Sequence, residues 1–226
     1  MQPELSLGRS IAVRLFPRYS RFLDRVNWTA RWSQTAKENI ECPRFASREE
    51  MYLHLNGAFL DSGQAPIDYF EFGVARGDSL RSWCSLNPHP ETRFFGFDSF
   101  EGLPENWTSE TLRGAFSTSG KTPEIHDPRV RFVVGWFQHS LPEFLQSYRS
   151  GRRLVIHNDS DLYSSTLYCL TAMNGLMPPG TLIIFDEFYD VLHEYKALND
   201  YGNAYMRKYK IVAATYRFNQ AAVVIL

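Results

Sequence analysis

The sequence predicts an α/β protein built on a doubly wound, mostly parallel sheet. After Pro66, short apolar runs alternate with stretches of helical periodicity, which is the pattern of strands joined by crossover helices. The runs are continuously apolar, as expected for parallel strands that helices cover on both faces. The last two runs are close enough in sequence to pair as a hairpin, so the final strand is predicted to be antiparallel to the others.

Seven strands and four helices are predicted in this part of the chain. The strands are expected at residues 67–72, 93–97, 130–134, 154–156, 181–185, 211–215 and 221–226. The helices are expected at residues 78–85, 140–148, 164–176 and about 193–208, and an irregular segment runs from 99 to about 128. We therefore assign residues 66–226 to one domain.

Residues 1–65 are predicted to form a helical N-terminal extension that serves as a lid or as a subunit interface in a homo-oligomer. Within it, Ser47 is followed three residues later by Glu50, ahead of an apolar stripe. This spacing is typical of a capping box, so a helix is predicted to begin after Ser47.

The composition excludes several classes of function. The 226 residues include 24 basic and 25 acidic side chains, so no global field favours nucleic acid or membrane surfaces. No apolar run approaches the roughly 18 residues that cross a bilayer. The three cysteines have no metal-ligand spacing, and the first residues lack the apolar core of a secretory signal. A reduced, cytoplasmic protein is expected.

Ligands of a doubly wound sheet bind beyond the carboxyl ends of its strands. The first strand is followed by Gly73 and Gly77, which permit a tight turn close to a ligand. The middle glycine of a dinucleotide fingerprint is absent, and Asp78 at the helix start disfavours a phosphate. A valine in place of Gly73 is expected to block the ligand while the protein stays folded.

Asp98 ends the second strand and is expected to accept both hydroxyls of a ribose, or to cap the turn that follows it. Together with Glu71, which suits an ammonium group, it indicates a positively charged nucleoside without phosphate. S-adenosylmethionine meets that description.

Two other functions share some of these features. A nicotinamide-dependent oxidoreductase has the same sheet and ribose-binding acid, but the missing middle glycine argues against it. A non-catalytic nucleoside-binding module is the second alternative. Acidic residues crowded after the fourth and fifth strands argue against it, because like charges cost stability unless a cation is bound.

Five ordered motifs resemble the macrocin O-methyltransferase family. They are Glu71-Phe-Gly-Val-Ala-Arg-Gly77, Phe97-Asp-Ser-Phe-Glu-Gly-Leu-Pro104, Gly135-Trp-Phe137, Asp159-Ser-Asp-Leu-Tyr-Ser-Ser-Thr166 and Phe185-Asp-Glu187. The resemblance implies a Rossmann-like methyltransferase sheet with a reversed last strand, and transfer of a methyl group to a sugar hydroxyl of a small molecule. It also implies a set of cofactor-binding residues: Glu71, Gly73, Ala75, Gly77, Ser79, Asp98, Ser99, Gly135, Trp136, Phe137 and Asp159.

A divalent metal site is predicted beside the cofactor. Asp159 and Asp161 follow the fourth strand, and Asp186 and Glu187 follow the fifth. Neighbouring parallel strands lie about 4.8 Å apart, so these carboxylates are expected to converge on one ion. Ligation by oxygen alone favours magnesium, calcium or manganese over zinc, and we expect Mg²⁺. The proton of the acceptor is expected to go to Asp159, Asp161 or His193.

Overall fold

One mixed sheet organises the chain in the computed structural model, which describes residues 17–149 and 151–226. Its strands are β1 (Arg44–Phe45), β2 (Ile67–Phe72), β3 (Arg93–Asp98), β4 (Val130–Val134), β5 (Arg153–Asn158), β6 (Leu182–Phe185), β7 (Tyr209–Thr215) and β8 (Ala221–Ile225). Their spatial order is β1-β7-β8-β6-β5-β2-β3-β4. Neighbouring strands are parallel except at β8, which is antiparallel to both β6 and β7.

Six α-helices accompany the sheet among the described residues. They are α1 (Pro17–Glu38), α2 (Arg48–Phe59), α3 (Asp78–Leu86), α4 (Phe137–Ser147), α5 (Tyr163–Met173) and α6 (Glu194–Ala204). The start of α2 is capped as predicted. The Ser47 hydroxyl accepts a hydrogen bond from the Glu50 amide at 3.1 Å, and the Ala46 amide donates to the Glu50 carboxylate at 3.0 Å.

The central strand β2 is buried along its whole length, and its two acids, Asp68 and Glu71, are buried with the four apolar residues. On one face, Tyr69 packs against Trp83 of α3, with ring centroids 5.4 Å apart. On the other face, Phe70 packs against Phe144 of α4 at 5.7 Å. Helices therefore cover both faces of the sheet at the strand that begins the candidate site.

The predicted fold class is confirmed, with one added strand. The chain divides into a unit that ends at Ile40, of which α1 is described, and a compact unit of Glu41–Leu226. This unit begins well before the predicted residue 66, because Arg44 and Phe45 pair with β7 and α2 packs on the sheet. The role of residues 1–65 as lid or interface stays a prediction. No helix among the described residues is both long enough and apolar enough to cross a membrane.

Candidate active site

A cleft of about 420 Å³ opens beyond the carboxyl ends of β2, β3, β4 and β5. All of the predicted site residues line it except Glu71, Asp186 and His193. The predicted residues that line it are Gly73, Ala75, Gly77, Ser79, Asp98, Ser99, Gly135, Trp136, Phe137, Asp159, Asp161 and Glu187. The sheet thus brings five separate sequence segments to one concave surface, as the strand-end rule predicts.

The floor of the cleft depends on Gly73, where β2 ends. Gly73 has a φ of +89°, and a Cβ at this position would lie 1.7 Å from the carbonyl oxygen of Asp159. The two backbones touch because Asp159 continues the pairing of β5 with β2, its amide donating to Phe72 at 2.9 Å. Only glycine permits this approach, so the loop after β2 lies directly beside the acidic residues after β5.

Asp98 holds two turns of the cleft together. Its Oδ2 accepts hydrogen bonds from the amides of Val74 and Ala75, each at 2.8 Å, and its Oδ1 accepts one from Phe100 at 2.7 Å. The capping role considered from the sequence is therefore present. A carboxylate has about four acceptor positions, so these three bonds leave it able to accept from a ligand, and ribose binding stays a prediction.

Glu71 is buried and does not line the cleft, and its expected contact with the cofactor stays a prediction. The Tyr69 hydroxyl donates to Glu71 Oε2 at 2.7 Å, and His157 Nδ1 lies 3.6 Å from the same oxygen. Alternation along β2 turns Glu71 to the face that carries Tyr69, away from the cleft. Its carboxylate instead belongs to a buried polar network behind the site.

The four predicted metal ligands fall into two overlapping groups. Ligand atoms of Asp159, Asp161 and Glu187 lie within 4.8 Å of one another, and so do those of His157, Asp159 and Asp186. Two buried carboxylate oxygens, Asp186 Oδ1 and Glu187 Oε2, have no hydrogen-bond partner in the described part of the chain. Unpaired buried oxygens are costly, so this cluster fits a cation.

Asp186 differs from its acidic neighbours in having positive charge beside it. Its Oδ1 lies 3.9 Å from His157 Nε2 and 3.8 Å from Arg48 Nη1. Although burial raises the pKa of Asp186, contact with His157 and Arg48 outweighs burial and lowers it. Burial opposes the charge of His157, but Asp186 and Glu71 raise its pKa to about 10.

At the other three carboxylates burial prevails, even at Asp159, where the charge of His157 lowers the pKa. Burial raises the pKa of Asp161 to about 7. Burial, together with the charges of Glu194 and Asp159, raises the pKa of Glu187 to about 12. Burial and the charge of Asp186 raise the pKa of Asp159 well above its usual range. The deficit of positive charge is therefore centred on Asp159, Asp161 and Glu187, where an all-oxygen ligand set suits a hard divalent ion.

His193 lies outside the cleft lining, and its expected role near the acceptor stays a prediction. It directly precedes α6, and its Nδ1 accepts a hydrogen bond from the Tyr163 amide at 3.2 Å, at the start of α5. Its ring centroid lies 6.2 Å from that of Trp107. This nitrogen accepts from an amide at a helix N-terminus, which gives His193 a capping contact with α5.

The chain matches the family described as "Methyltransferase domain" over residues 70–188. It belongs to this family. The resemblance predicted from the five motifs is confirmed by this match. Family membership also favours methyl transfer over the nicotinamide-dependent alternative, because the matched region contains the whole cleft floor from β2 to the segment after β6.

Curated relatives of this methyltransferase domain are named as O-methyltransferases. The 8-demethyl-8-(2,3-dimethoxy-alpha-L-rhamnosyl)-tetracenomycin-C 4'-O-methyltransferase of Streptomyces olivaceus is 31% identical over 160 residues, 58% of each chain. The demethyldecarbamoylnovobiocin O-methyltransferase of Streptomyces niveus is 25% identical over 161 residues, 60% of each chain. The present chain therefore spans about three fifths of the length of these relatives.

Solved structures of other methyltransferases share the fold. The calicheamicin methyltransferase CalS11 superposes with a TM-score of 0.61 at 20% identity, covering 79% of this chain and 80% of that chain. The O-methyltransferase NovP gives a TM-score of 0.61 at 20% identity, covering 77% and 78%. Both confirm the Rossmann-like sheet predicted from the sequence.

The methyltransferase domain also has site residues that the sequence patterns did not reveal. Glu194, the first residue of α6, is fully buried; its Oε1 accepts from the Asn158 side-chain amide at 2.8 Å and its Oε2 from the Glu187 amide at 2.9 Å. It therefore joins the ends of β5 and β6, which carry the acidic cluster. Arg48, from α2, lines the cleft. Both lie on helices, outside the strand ends to which the sequence argument was confined.

The irregular segment between β3 and β4 forms one side of the cleft. Gly102, Leu103 and Phe116 line it, and the Phe116 side chain is 57% exposed. A hydrogen bond connects this segment to the loop after β6: the indole N–H of Trp107 donates to the Asp190 carboxylate at 3.2 Å. Because the segment has no periodic pattern, the sequence did not indicate which of its residues face the ligand.

Proposed function

We propose that this chain is an S-adenosylmethionine-dependent, magnesium-dependent O-methyltransferase that acts on a hydroxyl of a small molecule, a sugar of a glycosylated natural product. The observation that carries the proposal is a juxtaposition in one cleft. The glycine turn after β2 and the Asp98 carboxylate line the same cleft as the clustered carboxylates of Asp159, Asp161 and Glu187.

The order of the residues at the strand ends supports S-adenosylmethionine as the cofactor. Gly135 to Phe137 after β4 offer apolar surface for an adenine, and Asp98 after β3 offers acceptors for a ribose. The turn at Gly73 after β2 leaves space for the methionyl group. These three strands are neighbours in the sheet, so the three parts of one extended ligand match their order.

The acidic cluster supports a divalent ion. Asp159, Asp161 and Glu187 supply only oxygen atoms, which magnesium prefers, and Asp186 lies next to Asp159 as a fourth candidate ligand. When bound, the ion supplies a Lewis acid at the acceptor hydroxyl and the cofactor supplies the methyl group. The protein's own part is to align the acceptor hydroxyl with the methyl group of the cofactor and to exclude other orientations of the acceptor.

Asp161 is the best-placed proton acceptor of the candidates. It lines the cleft, whereas His193 does not. In the metal-free cleft, burial raises the pKa of Asp161 to about 7, so this carboxylate holds a proton more readily than an exposed one. Asp159 stays the candidate for ligation, because its ligand atom lies within 4.8 Å of those of Asp161, Asp186 and Glu187.

The names of the relatives support a sugar acceptor. One relative carries a rhamnosyl group in the name of its substrate, and another is named mycinamicin III 3''-O-methyltransferase, of Micromonospora griseorubida. A cleft with carboxylates at one side and exposed Phe116 at the other suits a sugar that is joined to an apolar scaffold.

The proposal is tested by following S-adenosylhomocysteine formation by mass spectrometry with rhamnosyl polyketides, macrolide glycosides and free sugars as acceptors. Turnover is expected with a glycoside, to be lost in EDTA and to return with Mg²⁺. Asp161→Asn and Glu187→Gln are expected to lower kcat at least about 100-fold. The matched control Asp200→Asn changes an acid that binds Tyr163, outside the cleft lining. Full turnover in EDTA would overturn the metal dependence, and failure to bind the cofactor would overturn the function.

A further inference from the structure

We infer that Arg48 binds the α-carboxylate of the methionyl group of S-adenosylmethionine. The inference rests on the proposed function and extends it to a residue outside the five motifs. Arg48 is the first residue of α2, lines the cleft, and keeps 31% of its side-chain surface exposed. It is therefore a positive charge held at the edge of a binding cleft by a helix of the compact unit.

The position of Arg48 matches that of the methionyl end of the cofactor, which lies opposite the adenine. With the adenine after β4, the ribose after β3 and the sulfonium after β2, the amino-acid end continues toward β5 and β6. Arg48 Nη1 lies 3.8 Å from Asp186 Oδ1, directly after β6. The guanidinium therefore lies at the side of the cleft where the methionyl carboxylate ends.

The charges of the cleft lining favour a positively charged side chain at the methionyl end of the cofactor. The charged residues of the lining are Asp78, Asp98, Asp159, Asp161 and Glu187 on the acidic side, and Arg48 and Arg76 on the basic side. A carboxylate entering this acidic surface would be repelled without a positive partner. Arg76 follows Ala75, whose amide binds Asp98, so it belongs to the ribose side. Arg48 is the cation nearest the methionyl side.

The guanidinium has donors to spare. Its Nε donates to Glu49 Oε1 at 3.3 Å, while neither Nη atom donates a hydrogen bond to any residue that the structure describes. Asp186 also has His157 as a positive neighbour at 3.9 Å, so Arg48 is not its sole compensation. Two adjacent N–H groups in one plane match a carboxylate in a bidentate arrangement.

Calorimetry without acceptor tests the inference with two ligands. S-adenosylhomocysteine carries the α-carboxylate, whereas 5′-methylthioadenosine has the same nucleoside without the amino-acid group. Arg48→Gln is expected to weaken S-adenosylhomocysteine about 10- to 100-fold and to change methylthioadenosine less than about twofold. The S-adenosylhomocysteine affinity of Arg48→Lys is expected to lie between those of wild type and Arg48→Gln, because lysine keeps the charge but lacks the paired N–H groups of the guanidinium. Arg113→Gln, an exposed arginine outside the lining, is the matched control.

Three results would overturn the inference. The first is an equal loss of affinity for both ligands in Arg48→Gln, and the second is no loss of affinity for either ligand. The third is a selective loss of S-adenosylhomocysteine affinity in Arg76→Gln and not in Arg48→Gln. If wild type bound neither ligand, the proposed function itself would fail, so the two failures are distinguishable. Thermal unfolding of each variant shows whether the fold has changed. A folded Arg48→Gln variant that loses selectivity for the amino-acid ligand supports the inference.

Discussion

At Gly73, the end of β2 touches the backbone of the segment that follows β5. A Cβ there would lie 1.7 Å from the Asp159 carbonyl oxygen, and backbone atoms cannot move aside as a flexible side chain can. A valine at this position is therefore expected to disturb the fold itself. This corrects the expectation from the sequence that such a variant stays folded and only excludes the ligand. The same atom contact that builds the cleft floor also carries stability.

Gly73→Ala is accordingly expected to lower the free energy of unfolding by at least about 2 kcal/mol, from the left-handed φ and the backbone collision together. Gly120→Ala is the matched control, because Gly120 has a φ of +75° with no atom within 4 Å of the added Cβ. That change is expected to cost only about 1 kcal/mol. Urea denaturation measures both, and equal losses would contradict the collision argument.

At the level of elements, α6 sets the spacing of the two strand ends that carry the acids. Glu194 accepts one hydrogen bond from Asn158, before Asp159, and another from the amide of Glu187. Each of these hydrogen bonds needs its own acceptor oxygen. A glutamate side chain has two such oxygens, whereas a glutamine side chain has one. The helix thus contributes to the acidic cluster through the backbone geometry that it imposes.

Glu194→Gln is therefore expected to leave one buried N–H unpaired and to weaken Mn²⁺ binding, followed by electron paramagnetic resonance, about 10-fold. S-adenosylhomocysteine affinity is expected to stay within about threefold, since β2 and β3 are untouched. Asp200→Asn, on the same helix, serves as the control for changes in α6. Parallel losses of metal and nucleoside affinity would indicate general unfolding and contradict the positioning role.

The elements near strand ends were predictable because their signals are local. Strand β2 occurs where the apolar run predicted it, and the Ser47–Glu50 pattern caps α2 as expected. The two-residue β1 was missed because its pairing with β7 comes from tertiary contact, not from its own pattern. The burial of Glu71 behind the cleft was not predictable, because the sequence did not establish which face of β2 the cleft occupies. Arg48 and Glu194 carry no motif, and only the packing of their helices brings them to the site.

At the level of the whole molecule, the acidic cluster makes stability depend on pH. Burial raises the pKa of Asp161 from 3.8 in the unfolded chain to about 7 in the folded protein. The folded state therefore binds this proton more tightly, so the contribution is full below pH 4 and is lost as pH rises through 7. The raised pKa of Glu187 acts in the same direction across neutral pH.

The metal-free protein is thus expected to have a Tm at least about 3 °C higher at pH 6 than at pH 8. Mg²⁺ binds ionised carboxylates, so it is expected to raise the Tm more at pH 8 and to reduce the difference. Differential scanning calorimetry in EDTA and in Mg²⁺ measures this, with Asp161→Asn as the variant that lacks the titrating group. A Tm in EDTA that does not fall from pH 6 to pH 8 would contradict the expectation.

The pairing of β2 with β5 joins residues 67–72 to residues 153–158 and has a consequence for biosynthesis. While the chain emerges from the ribosome, β2 and β3 are complete long before β5 exists to cover the open edge of β2. The backbone edge of β2 stays unpaired during that interval, and Phe70 stays exposed until Phe144 of α4 has also emerged to cover it. Chains whose strands pair over long sequence distances fold slowly through aggregation-prone intermediates. High-level expression of this protein is therefore expected to depend on chaperones and on slow translation.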